Sequence, residues 1–230
     1  MSESTHVSRQ FDEDLERLRS SVLQMGGLVE SQINSTTKAF ANNNSNAVIA
    51  VLENDHEVNA FEKAIDDDCI HVIAKRQPTA SDLRLIMAIS KMVTDLERSG
   101  DEVKKIAKSI RRIQERDVTV HSTTTDVRHL AKAASTQLRR ALDTFARLDT
   151  AEAQAVIAAD EDLDNEFKSI VRQLITHMME DPRAITTALD IITIARAIER
   201  VGDHAKNIAE QVIYIVEGRD VRHTKNDTNE

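Results

Sequence analysis

Glu97-Arg98-Ser99-Gly100-Asp101 and Glu199-Arg200-Val201-Gly202-Asp203 are two copies of one phrase, and the match runs ungapped from Glu97–Ile110 to Glu199–Val212. Each copy sets two carboxylates four residues apart. On a helix that spacing stacks them one turn above the other on a single face. Like charges so placed repel by roughly 0.2–0.5 kcal/mol per pair, and a shared cation is the simplest compensation. The same spacing recurs upstream of each phrase: Asp160 and Asp164 lie four apart, as do Asp55 and Asn59. Asp55, Glu97, Asp160 and Glu199 each fall just after a d site of an apolar seven-residue seam. Asn59, Asp101, Asp164 and Asp203 each fall just after an a site. Each pair therefore flanks its seam on the same side. Four oxygen-bearing side chains converging between two neighbouring helices make a site for a hard cation.

The elements that must position these groups are legible in the apolar periodicity. A stripe at three- and four-residue steps (Leu15, Leu18, Val22, Met25, Val29, Ile33) predicts a helix from about 8 to 41, with Gly26-Gly27 a weak point inside it. The run 42–46, four asparagines and a serine, reads as a turn. Val51, Val58, Ile65 and Val72 carry a second helix over about 46–75, which Gln77-Pro78 stops. Thr79 and Asp82 resemble a capping box for a third helix. Its seam has Ile86, Val93, Gly100 and Ala107 in one row and Ile89, Leu96, Val103 and Ile110 in the other. After a polar break at 117–126 the order repeats: helices over about 126–148, 150–180 capped by Asp149, and 182–216 started by Asp181-Pro182. Phe40, Val51, Val58 and Ile65 align with Phe145, Val156, Leu163 and Ile170 at a displacement of 105, which becomes 102 in the third helices. The expected fold is all-α: two tandem, pseudo-symmetric three-helix bundles over 8–117 and 122–217, with flexible tails at 1–7 and 218–230.

Composition agrees with long helices. The chain has 230 residues, 40% hydrophobic, 30% charged and only 3% aromatic, with two prolines and five glycines. A net charge of −9 argues against nucleic acid as partner. The single cysteine, Cys69, forms no internal disulfide and fits a reducing cytosol. No stretch approaches 18 consecutive apolar residues, so any membrane role is expected through partners.

Plainer readings stand beside the metal site. Acidic pairs at i, i+4 are ordinarily a solvated helix face, and only their recurrence at repeat-related positions argues otherwise. Gly100 and Gly202 sit in the seam and read as close helix crossings. Arg98 and Arg200 read as surface ion-pair partners, and His204 as a solvated side chain rather than a ligand beside Asp203. Glu53 and His56 form one Glu-x-x-His, and a di-iron carboxylate bundle needs two. Cys69 reads as packing. With no phosphate loop and no nucleophile beside a positioned base, the chain is not expected to be an enzyme. A carboxylate-bridged metalloenzyme and a purely structural dimerising bundle remain the alternatives.

The doubled Glu-Arg-x-Gly-Asp followed by Ile-Ala, set in a tandem repeat of three helices over about 8–217, resembles the PhoU family of phosphate-signalling regulators. That resemblance implies multinuclear metal binding at Glu/Asp-x-x-x-Asp motifs, here Asp160, Asp164, Glu199 and Asp203 in the second repeat and Asp55, Asn59, Glu97 and Asp101 in the first. Asn59 departs from the acidic pattern and contributes no charge. The metal is left open among iron, manganese, zinc, magnesium and calcium. The resemblance further implies a cytoplasmic negative regulator of the phosphate-starvation response and of phosphate uptake, and the low aromatic content and exposed seams make a homodimer the expected assembly. Its expected partners are a sensor histidine kinase and the ATPase subunit of a phosphate ABC transporter.

Overall fold

The computed structural model describes residues 2–53, 55–116 and 123–221, with the side chains of 2–8, 55 and 123 excluded. Regular structure among them is helical throughout: α1 (Ser2–Ala41), α2 (Ser45–Glu53), α3 (Asp55–Arg76), α4 (Ala80–Glu115), α5 (Thr123–Arg147), α6 (Thr150–Glu180) and α7 (Ile185–Glu217). The expected second helix corresponds to α2 and α3, on either side of residue 54, which lies outside the described residues. α1 begins ahead of the expected start near residue 8, since no proline or glycine interrupts its first turns. The polar break falls largely on 117–122, also outside the described residues, as does most of the expected C-terminal tail.

Local chemistry ends the helices. Asn44 Oδ1 accepts from the Ala47 amide at the start of α2, and Asp149 Oδ1 accepts from the Glu152 amide at the start of α6. Asp181 caps a single 3-10 turn, Pro182–Ala184, that leads into α7. Gly218 takes the left-handed conformation that closes α7, its amide donating to the Tyr214 carbonyl at 3.0 Å. The expected capping box at α4 is not formed. Thr79 has N-cap backbone angles but no side-chain cap bond, and Asp82 is shorter than the glutamate that completes the reciprocal pair.

Both rows of the α4 seam are buried, and Val51, Val58 and Ile65 are buried like their counterparts Val156, Leu163 and Ile170. Each such side chain stabilises by roughly 1.5–3 kcal/mol on leaving water. α1, α2–α3 and α4 form one bundle and α5, α6 and α7 the other. The bundles share one continuous core, because α4 and α7 lie antiparallel along each other. His204 Nδ1 is 2.9 Å from Asp95 Oδ1, Arg200 Nη1 donates to Glu102 Oε1 at 3.2 Å, and Arg112 pairs with Asp190. α1 crosses α5 in the same sense, with Arg139 on Glu30 and Arg19 donating to the Ala146 carbonyl.

Glycines mark the closest approaches. A Cβ at Gly26 would stand 2.5 Å from Leu142 Cδ1 of α5, whereas one at Gly27 would meet nothing within 4 Å. The supposed weak point is therefore half interface. Gly100 faces Val58 and Gly202 faces Leu163, at 3.2 and 2.9 Å from a would-be Cβ. These are repeat-equivalent contacts, and they fix the register of the second helix against the third in both bundles.

Candidate metal centre

Gly202 seated on Leu163 brings the residues just after each, Asp203 and Asp164, to the same edge of the α6/α7 seam. One turn back along each helix stand Glu199 and Asp160. The four second-repeat candidates thus lie along one edge of the seam, near enough for Asp160 and Asp164 to act on Asp203. Their mutual repulsion bears on Asp203 and Glu199. Asp203 is pushed above the ordinary aspartate range, first by crowding of its carboxyl and then by Asp160 and Asp164, with Lys206 and His204 opposing. Asp203 is exposed as a whole residue. Glu199 is raised by burial first and by Asp203 second, while the Arg196 guanidinium lowers it and Asp164 adds to the rise.

Burial makes the set costly. Asp160 and Glu199 are 7% and 8% exposed, and charged groups so placed need partners. Asp160 has them: Lys206 Nζ donates to its Oδ2 at 2.9 Å, and Gln137 Nε2 from α5 reaches its Oδ1 at 3.4 Å. Glu199 has half of them. Arg196 Nη1 donates to Oε1 at 3.0 Å, while Oε2 is buried without any partner. Asp164 is half-buried, with Lys168 Nζ 3.9 Å away.

The donor chemistry fits a hard cation: carboxylate oxygens from two helices, one of them an orphaned buried oxygen. The geometry is not drawn tight, since no three His, Cys, Asp or Glu side chains stand together ready to hold an ion among the described residues. A protein cation stands in the cluster instead. Against burial, which lowers its pKa, Lys206 is held protonated by its hydrogen bond to Asp160 and by the charges of Asp160, Glu210 and Asp203.

In the first repeat, Asn59 and Glu97 are half-buried and Asp101 is exposed, beside the Gly100–Val58 contact. The Asp55 side chain lies outside those described. Asn59 and Asp101 thus follow the paired Val58 and Gly100 as Asp164 and Asp203 follow Leu163 and Gly202.

Sequence reasoning missed Lys206 and Gln137. Lys206 was signalled by its place three residues after Asp203 on the same helix face; Gln137 contacts the site from another helix and left no signal. The His204 side chain, read as solvated, is 14% exposed and meets Asp95, which also accepts from Asn207 at 3.0 Å. Burial with flanking Asp66 and Asp68 pushes the Cys69 thiol up to about 12, leaving it an inert packing residue.

The PhoU domain model matches residues 22–110 and 127–212, once in each bundle. The phosphate-specific transport system accessory protein PhoU homolog of Pseudomonas aeruginosa is 47% identical over 218 residues, 95% of this chain and 90% of that protein. PhoU of Escherichia coli is 42% identical over 222 residues, 96% of this chain and 91% of that protein. The crystal structure of PhoU from Pseudomonas aeruginosa superposes with a TM-score of 0.87 at 45% identity, covering 91% of this chain and 100% of that one. That of the phosphate transport system regulatory protein PhoU from Streptococcus pneumoniae gives 0.84 at 26% identity, covering 92% and 99%. A doubled domain match and such identity over nearly the whole length lead to one conclusion: the chain belongs to the PhoU family.

Proposed function

We infer that the chain is an accessory protein of phosphate transport that acts as a negative regulator of the phosphate-starvation response and of phosphate uptake. In this reading it is a cytoplasmic, homodimeric, non-enzymatic adaptor between the ATPase subunit of a phosphate ABC transporter and a sensor histidine kinase. The printed names of its relatives, phosphate-specific transport system accessory proteins, support the transport role. No described helix is long and apolar enough to cross a membrane, in keeping with contact to the membrane through partners.

The metal reading rests on one observation, the buried Glu199 Oε2 without a partner beside Asp203 and Asp164. Asp160, Asp164, Glu199 and Asp203 would hold the ion, with Asp55, Asn59, Glu97 and Asp101 as a second, less charged set. A bound divalent or trivalent cation supplies neutralisation of their mutual repulsion. A structural reading of the cluster is favoured by the Lys206–Asp160 bond, which gives part of the set an internal counter-charge.

Two measurements separate the claims. Alkaline phosphatase in phosphate-replete cells should rise when the gene is deleted, and a strain that stays repressed overturns the regulatory role. Elemental analysis of protein purified without chelator or affinity-tag metal should find bound metal that an Asp160→Ala, Glu199→Ala variant lacks. Equal metal in both assigns the carboxylates to a structural face.

A further inference from the structure

Beyond the carboxylate cluster, the outer face shared by α6 and α7 is left uncovered. Phe167, Lys168, Val171 and Arg172 from α6, with Ile192 and Arg196 from α7, line a groove of about 420 Å³. The stripes that form it continue toward the hairpin. On α6, three- and four-residue steps lead on to Ile175 and Met179, 46% and 80% exposed. On α7 they lead back to Leu189 and Ile185, 53% and 41% exposed. From Ile185 to Arg196 the surface runs about 16 Å, three helical turns. It is apolar at the hairpin end and carries Lys168, Arg172 and Arg196 at the other, where Arg196 pairs with Glu199 and Lys168 lies 3.9 Å from Asp164.

The first repeat shows that the fold does not impose this pattern. Its Ile70, Leu83 and Met87 are the counterparts of Ile175, Ile185 and Leu189, and all three are exposed. The charged end differs. Val171, Arg172 and Arg196 have as counterparts Asp66, Asp67 and Thr94, Lys168 keeps a lysine in Lys63, and Ser90, at the position of Ile192, donates to Asp66 at 3.1 Å. Two similar apolar ends thus differ in charge: Arg172 and Arg196 beside one stand where the other has Asp67 and Thr94.

Single exposed apolar side chains are ordinary. Two adjacent stripes at i, i+4, i+7 and i+11 form the kind of groove that receives an amphipathic helix. We propose that the α6/α7 groove docks an amphipathic helix of a partner protein, its apolar residues on the hairpin end and its acidic residues on Lys168 and Arg172. The charge pattern sets the direction of the docked helix and excludes it from the first repeat, a use of electrostatics for specificity rather than bulk affinity. A second copy of the chain would offer Ile70, Leu83 and Met87 beside Asp66 and Asp67 from two helices rather than one, and sedimentation separates it from a partner helix. The inference rests on the adaptor reading and names the surface that serves it.

The test uses the full chain and a fluorescein-labelled helical peptide with leucines at i, i+4 and i+7 followed by three glutamates. Anisotropy should show saturable binding, weakened at least about tenfold by Arg172→Glu with Lys168→Glu and by Leu189→Glu. Met87→Glu, at the counterpart of Leu189, should leave it unchanged, as should replacement of the exposed Ile70 by glutamate. A peptide with lysines for the glutamates should bind at least about tenfold more weakly. Absence of binding, or binding indifferent to Arg172→Glu, overturns the proposal. So does sedimentation showing self-association that Leu189→Glu abolishes, which assigns the groove to a second copy. Co-sedimentation with phosphatidylglycerol vesicles lost in the same variant assigns it to a membrane and overturns it equally. The alkaline phosphatase measurement fails or succeeds independently of these outcomes, so the two readings fall separately.

Discussion

Lys206 Nζ stands 2.9 Å from Asp160 Oδ2, so the carboxylate cluster of the second repeat carries its own tethered cation. Asp160 is 7% exposed and Glu199 8%, and the lysine's neighbours include Asp203 and Glu210. An ion entering the cluster competes with this ammonium. Lys206→Met should therefore lower the stability of metal-free protein by roughly 1–2 kcal/mol, the discounted cost of unpairing a buried carboxylate from a partly exposed partner. It should also tighten divalent-cation binding. Thermal unfolding with and without chelator, and calorimetric titration with manganese, read both effects; unchanged affinity would mean that lysine and ion do not compete.

Glu199 and Asp203 both titrate above their ordinary ranges. The folded state thus holds their protons more tightly than the unfolded chain does. Their contribution to stability is fully present below the ordinary values of 4.5 and 3.8 and is lost as pH rises through the raised ones. Glu199→Gln should then melt higher than the parent at neutral pH in chelator, with the gap closing as pH falls toward about 4. A gap that widens on acidification would reverse the sign argued for these groups.

Gly26 and Gly27 adjoin in α1 and should respond in opposite directions. Gly27→Ala meets open space and should stabilise by about 0.5–1 kcal/mol through helix propensity. Gly26→Ala drives a methyl group into Leu142, which is buried against α1, and should destabilise by about 1–2 kcal/mol net of the same gain. Urea midpoints of the two variants provide the comparison.

Asp95 joins the bundles by accepting from Asn207 and facing His204. Asp95→Ala should cost about 1–3 kcal/mol, because it leaves both side chains in a closed interface without their acceptor. Equilibrium unfolding measures the loss. If the α4–α7 contact is one cooperative core, the transition should remain single.

The helices, their seams and the tandem repeat were legible in the sequence because apolar periodicity is a local signal. Val58 and Leu163, or Gly100 and Gly202, announce the same packing position twice. The carboxylate pairs were legible for the same reason, since residues four apart on a helix share a face wherever that helix lies. The capping box at Thr79 was misread, as a motif one side-chain carbon short of its partner. Tertiary structure alone decided which groups meet: Lys206 on Asp160 across 46 residues, His204 on Asp95 across 109, Leu142 on Gly26, and the crossing of α4 by α7 that merges two bundles into one core. No local period encodes those contacts. They depend on how whole helices dock, and that is set by the summed burial of both bundles rather than by the spacing within either one.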